Sequence, residues 1–124
     1  VYAPVEVASR LLGSEVRLSD RCCGEAGTLA ISRPDIATQI RYRKESELHQ
    51  GILGYIDQER VQQGEVKLLT SCPACQQGLM RYQEDTGLET DYIVVELANK
   101  KLGDGWQQRF VEHAKTGGIE RVLL

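Results

Sequence analysis

The chain has 124 residues, 41% of them hydrophobic and 27% charged, a composition that fits one folded domain around a single core. No stretch approaches the roughly 18 consecutive apolar residues of a membrane span, and the apolar start Val1–Val7 is interrupted by Pro4 and Glu6 with no basic segment ahead of it, so neither a spanning segment nor a secretory signal is expected. With 15 Lys and Arg against 18 Asp and Glu, the formal net charge of -3 offers a phosphate backbone no overall attraction, and nucleic acid is not an expected partner.

In chain order, Val7, Ala8, Leu11 and Leu12 recur at helical spacing, and the pattern predicts a short helix from Pro4 to Leu12 stopped by Gly13. Glu15-Val16-Arg17-Leu18-Ser19 alternates with period two, as a half-buried strand does, and delivers the chain to Cys22. From Pro34, with Ser32 or Arg33 ahead of it, Ile36, Ala37, Ile40 and Leu48 mark a long helix, interrupted near Gly51 or Gly54 and resumed through Tyr55–Gln63. Val66–Thr70 is a β-prone run that ends just before Cys72. Pro73–Asp85 reads as helix up to Gly87, Tyr92–Val95 as a buried strand, and Glu96–Leu102 as a short helix. Trp106, Phe110, Val111 and Ala114 mark a further amphipathic helix ended by Gly117-Gly118, and Ile119–Leu124 returns to an apolar, strand-like run. Alternating strands and helices define an α/β fold with a parallel or mixed sheet covered by helices.

The four cysteines fall in two tight clusters, Cys22-Cys23 and Cys72-Pro73-Ala74-Cys75. Scaffold cysteines are usually spread along a chain, so clustering favours a reduced, intracellular setting and metal or redox chemistry. A Cys-x-x-Cys pair opening a helix sits beside unsatisfied N–H groups and the positive end of the helix dipole, which favour thiolate. Thiolate is both the metal-binding form and the form that attacks disulfides. Gly24 and Gly27 let the Cys22-Cys23 loop approach something bulky. If both loops lie at the carboxyl ends of neighbouring strands, where ligands sit in such sheets, Cys22, Cys23, Cys72 and Cys75 share one centre.

Asp20-Arg21-Cys22-Cys23-Gly24-Glu25-Ala26-Gly27-Thr28, then Arg33-Pro34-Asp35-Ile36-Ala37, then Ser71-Cys72-Pro73-Ala74-Cys75 resemble the cysteine-rich CCG domain. That domain occurs in the iron-sulfur subunits of glycolate and D-lactate oxidases, in anaerobic glycerol-3-phosphate dehydrogenase, in succinate dehydrogenase variants and in the B subunit of heterodisulfide reductase. The resemblance runs from Leu11 to about Leu97 and implies a single CCG domain over residues 1–124, a piece of a longer FAD-linked oxidase fused to iron-sulfur modules. It implies an iron-sulfur cluster, or in some members zinc, held by Cys22, Cys23, Cys72 and Cys75. The domain would relay electrons between flavin and [4Fe-4S] modules of the parent chain or complex and an acceptor, in the cytoplasm or at the inner face of the membrane through those partners. FAD would belong to the parent protein, not to this domain. Two departures stand out. The family's lone upstream cysteine is absent and is expected ahead of Val1, and the gap between the cysteine pairs is long, with the surplus placed in a peripheral insertion, Gln50–Gly64.

Two rival readings remain: a structural zinc site of four cysteines without redox role, and dithiol-disulfide exchange by Cys72 and Cys75. Sulfurs placed to bind one metal are near bonding distance, so oxidation is expected to bridge Cys72 to Cys75 or one pair to the other. Elsewhere the bland reading is the better one. His49 and His113 read as solvated, and Arg41, Arg43 and Lys44 as a solvated basic face, with docking of a redox partner as the alternative. Gly24–Gly27 lacks a phosphate-loop pattern, and Arg21 and Glu25 flank the cysteines as tuning charges.

Overall fold

The computed structural model describes residues 3–25, 27–62 and 64–117. The first helix, α1 (Ala3–Leu12), carries Glu6 in its first turn and Arg10 in its last, each sign matched to the nearby end of the helix dipole. After it, the predicted strand over Glu15–Ser19 is absent, and these residues form a coil with no strand partner. Its polar residues meet the body of the protein. Arg17 lies over the Tyr55 ring at 4.2 Å and Ser19 hydrogen bonds to Glu47 at 2.9 Å, while Leu18 stays exposed.

A single turn, α2 (Leu29–Ser32), precedes α3 (Pro34–Ile56), which opens on Pro34 and runs through Gly51 and Gly54 without the expected interruption. Gly54 has a positive use: the Arg17 guanidinium lies where a Cβ would stand. The helix ends at Asp57 in a left-handed conformation, its N–H bonded to the Leu53 carbonyl at 3.2 Å. Ala37, Lys44, Leu48 and Ile52 form its buried face.

The sheet is a parallel pair, β1 (Lys67–Thr70) and β2 (Glu89–Tyr92), in the register Lys67↔Glu89 to Thr70↔Tyr92. Parallel pairing requires a crossover, here α4 (Pro73–Met80) and α5 (Gln83–Thr86), closed by Gly87 at φ 75°. A Cβ at Gly87 would strike the Val61 carbonyl as well as strain the backbone. The strand expected over Tyr92–Val95 is shifted upstream. β1 ends at Thr70, so beyond Tyr92 the backbone has no partner and turns into α6 (Ile93–Leu102). The last described helix is α7 (Trp106–Lys115), and the run Ile119–Leu124 lies outside the described residues.

The observed fold is therefore α/β and helix-rich, with the parallel pair packed against α4 and α6. Its core joins Leu48 and Ile52 of α3 to Val61, Leu79, Tyr82 and Leu88. Cys23, Cys75, Ile56, Val66 and Leu68 pack against that core. Gln50–Gly64 is accordingly not a peripheral insertion: it supplies Ile52 and Val61, 2% and 3% exposed. On the other side α1 packs on α6, where the Lys100 ammonium donates to the Leu12 carbonyl. Among the described residues no helix is long and apolar enough to cross a membrane.

Candidate functional site

The second cysteine pair is placed as expected. Cys72 follows β1 and caps α4 in extended conformation, Pro73 occupies the first helical position, and Cys75 sits within the first turn. Thr70 Oγ1 accepts from the Cys72 N–H at 3.2 Å, and the Cys72 carbonyl accepts from Gln76 N at 2.9 Å. Cys72 is exposed and Cys75 half-buried.

The first pair arrives differently, on the coil rather than at a strand end. Lys44 of α3, only 2% exposed, donates to Ser19 Oγ, to the Arg21 carbonyl at 2.9 Å and to Glu47 at 2.8 Å. It is thus an internal anchor and not part of a solvated basic face. Buried cations persist where they are paired and hydrogen bonded, and here that requirement fixes the residues leading into Cys22-Cys23. Gly24 follows at φ 78°, where a Cβ would lie 3.1 Å from Ile40 Cγ2, so the bulky group the loop approaches is α3 itself.

Glu25 then bridges α3 and the C-terminal end of α4. Its Oε1 lies 2.7 Å from the Arg81 guanidinium and 3.7 Å from that of Arg41, and its side chain packs on Gly78 of α4. Oε1 has no aligned hydrogen-bond donor, and neither does Arg41 Nε an acceptor, so the two ion pairs hold by charge rather than by directed bonds. These contacts bring the loop onto the last turn of the crossover helix α4.

Two of the four expected ligand candidates therefore meet directly: Cys23 Sγ stands 3.0 Å from Cys75 Sγ across 52 residues of chain. Contact with the Cys23 thiol, burial and the neighbouring Cys72 push the Cys75 thiol up to about 12. Cys72 is lowered, first by the Cys75 backbone N–H and then by the Cys75 side chain, as anticipated for a thiol at a helix start. The set thus reads as a half-buried pair, Cys23 and Cys75, with Cys72 as an exposed neighbour. Cys22 stands apart, exposed, its sulfur accepting from Gly24 N at 3.4 Å. Among the described residues, no three His, Cys, Asp or Glu side chains are gathered around a point able to hold one metal ion. The expectation that all four sulfurs share one centre is corrected accordingly. Cys23 meets the first turn of α4 through Cys75, whereas the Cys22 sulfur turns back onto Gly24 N.

Of the two histidines, His113 is exposed, while His49 is half-buried and donates from Nδ1 to the Glu59 carbonyl at 2.8 Å. Sequence reasoning read Lys44 as solvated and passed over Glu47 and Arg81. The Lys44 and Glu47 spacing of i, i+3 was the available signal for the first two.

Residues 80–124 match the model of a family described as a domain of unknown function (DUF3400). The match begins after Cys75 and so includes α5, β2, α6 and α7 but none of the four cysteines. No curated protein and no solved structure matches the chain.

Proposed function

We propose that the chain is an electron-transfer domain of a larger flavin-linked oxidoreductase, acting on a 2-hydroxy acid or a similar substrate, in which cysteine thiolates hold an iron-sulfur cluster. The observation that supports it most is the approach of Cys23 to Cys75 at 3.0 Å, which joins the two sequence-distant halves of the Cys-Cys-Gly and Cys-x-x-Cys pattern. The donor chemistry fits: thiolates are the ligands of iron-sulfur clusters and of structural zinc. Cys23 and Cys75, already in contact, would be the first ligands, and Cys72 and Cys22 would have to close in on them to complete the set. A bound cluster would supply one-electron transfer, and the organic chemistry would belong to the flavin of the parent protein. Flavin and [4Fe-4S] modules are the partners this reading requires.

The test is iron, sulfide and zinc analysis with a visible spectrum on anaerobically purified protein. Iron with sulfide and broad absorption in the blue, both lost in Cys23→Ser and Cys75→Ser, is the expected result. One zinc per chain without colour would replace this reading with the structural zinc domain, and a chain that takes up neither metal would remove both.

A further inference from the structure

The distance between Cys23 and Cys75 carries more than a ligand assignment. Two thiolates on one tetrahedral ion, each about 2.3 Å from the metal, stand about 3.8 Å apart. The observed 3.0 Å is shorter than that and lies within about 1 Å of a disulfide bond. Both sulfurs are half-buried against the core, held from opposite sides by the Lys44-anchored coil and by the first turn of α4, whereas Cys22 and Cys72 are exposed.

We propose that Cys23 and Cys75 form a reversible disulfide, a two-electron modification site that joins the two cysteine clusters in preference to the local Cys72–Cys75 bridge. A low-molecular-weight disulfide of the glutathione type is the oxidant. The Cys23 sulfur, its proton lost to solvent, attacks one sulfur of the external disulfide, whose S–S bond breaks and releases one thiolate. The second protein sulfur, having given up its proton, attacks the mixed disulfide and displaces the other external thiolate. Two protein thiols are oxidised, one external disulfide is reduced to two thiols, and both protons leave with them. The bridge ties the coil to α4 across 52 residues of chain, a long closure that restricts the unfolded state strongly. The proposal rests on the thiol geometry and not on metal binding.

The experiment equilibrates the chelator-treated chain with reduced and oxidised glutathione, traps free thiols with N-ethylmaleimide at low pH, and maps tryptic peptides by mass. Cleavage after Arg21, Arg41, Lys67 and Arg81 places the first pair in peptide 22–41 and the second in peptide 68–81. The expected product is these two peptides linked, sensitive to dithiothreitol, retained in the double variant Cys22→Ser/Cys72→Ser and lost in Cys23→Ser and in Cys75→Ser. Because the double variant keeps both core thiols, it retains the packing. Oxidation should raise its thermal midpoint by at least about 5 °C. A bridge confined to peptide 68–81 in the unmodified chain, or a double variant that still alkylates at both thiols, would overturn the proposal. Failure to bind iron would remove the proposed function and leave this result untouched.

Discussion

The ammonium of Lys44, inside α3, reaches the carbonyl oxygen of Arg21 at 2.9 Å, so a buried charge holds the backbone immediately before Cys22 and Cys23. The coil that replaces the expected strand has no ladder to fix it, and Lys44, Ser19 and Glu47 take over that task.

Lys44→Met should therefore weaken both the fold and the loop. Removing one partner of a buried ion pair costs about 3–5 kcal/mol. Glu47 keeps a side-chain exposure of 21%, which lets water replace part of the loss, and about 2–3 kcal/mol is expected in urea unfolding. Alkylation of Cys23 in the folded protein should accelerate at the same time. An unchanged rate would mean that Lys44 stabilises α3 without positioning the cysteines.

Thr86 is 0% exposed, and its hydroxyl donates to the Tyr82 carbonyl at 2.7 Å while accepting from Leu88 N at 3.2 Å. Thr86→Val keeps the shape and leaves Leu88 N without its acceptor at the junction of α5 and β2, while the Tyr82 carbonyl keeps the Thr86 N–H at 2.9 Å. A loss of about 1–3 kcal/mol is expected from denaturant midpoints. Thr86→Ser, which keeps the hydroxyl, should lose less, and equal losses would place the effect in packing instead.

The helices α1 and α7 were legible because apolar spacing and the glycines that follow agree on where they stop, at Gly13 and Gly117. Val16 and Leu18 misled because alternation signals a strand only where another strand offers a ladder, and here α3 offers Tyr55, Glu47 and Lys44 to the intervening polar residues. At Tyr92 the opposite happened: the β-branched run Ile93-Val94-Val95 lost its partner when β1 ended, and tertiary context overrode propensity. For the site, convergence of the clusters was expected from two neighbouring strand ends, and only the second strand is there; the first cluster, and with it the choice of Cys23 over Cys22, is placed by the Lys44-anchored coil, which has no sequence signature of its own.

The Arg33 guanidinium beside Asp35, 2.8 Å away at the start of α3, holds the Asp35 carboxyl below its usual range, with the Ile36 N–H adding to the effect. A carboxyl whose folded pKa is lowered contributes stability above its unfolded value of about 3.9 and loses it as pH falls through the folded value. Carboxyl carbon shifts followed by NMR should place the Asp35 transition below about 3.9, and Arg33→Gln should move it upward. Both groups are exposed, so the global stability curve should hardly respond to that variant. A transition at or above the ordinary value in the unmodified chain would contradict the pairing.

The Glu25 side chain lies on Gly78 of α4: a Cβ at position 78 would overlap the Glu25 side chain at Cγ. In an open helix, Gly→Ala stabilises by about 1 kcal/mol. Here the added methyl must displace the middle of the Glu25 side chain, not its mobile tip, and pull the carboxylate from Arg81 and Arg41. Overpacking of this kind costs about 1–3 kcal/mol, so Gly78→Ala should be net destabilising by about 1 kcal/mol despite its helix propensity. In a Glu25→Ala background the obstruction is largely gone, and the same substitution should become neutral or stabilising. The double-mutant cycle measured by urea unfolding then gives a coupling of at least about 1 kcal/mol. If Gly78→Ala stabilises both backgrounds equally, Glu25 does not lie on α4 in solution, and the route by which the loop brings Cys23 to Cys75 would need another support.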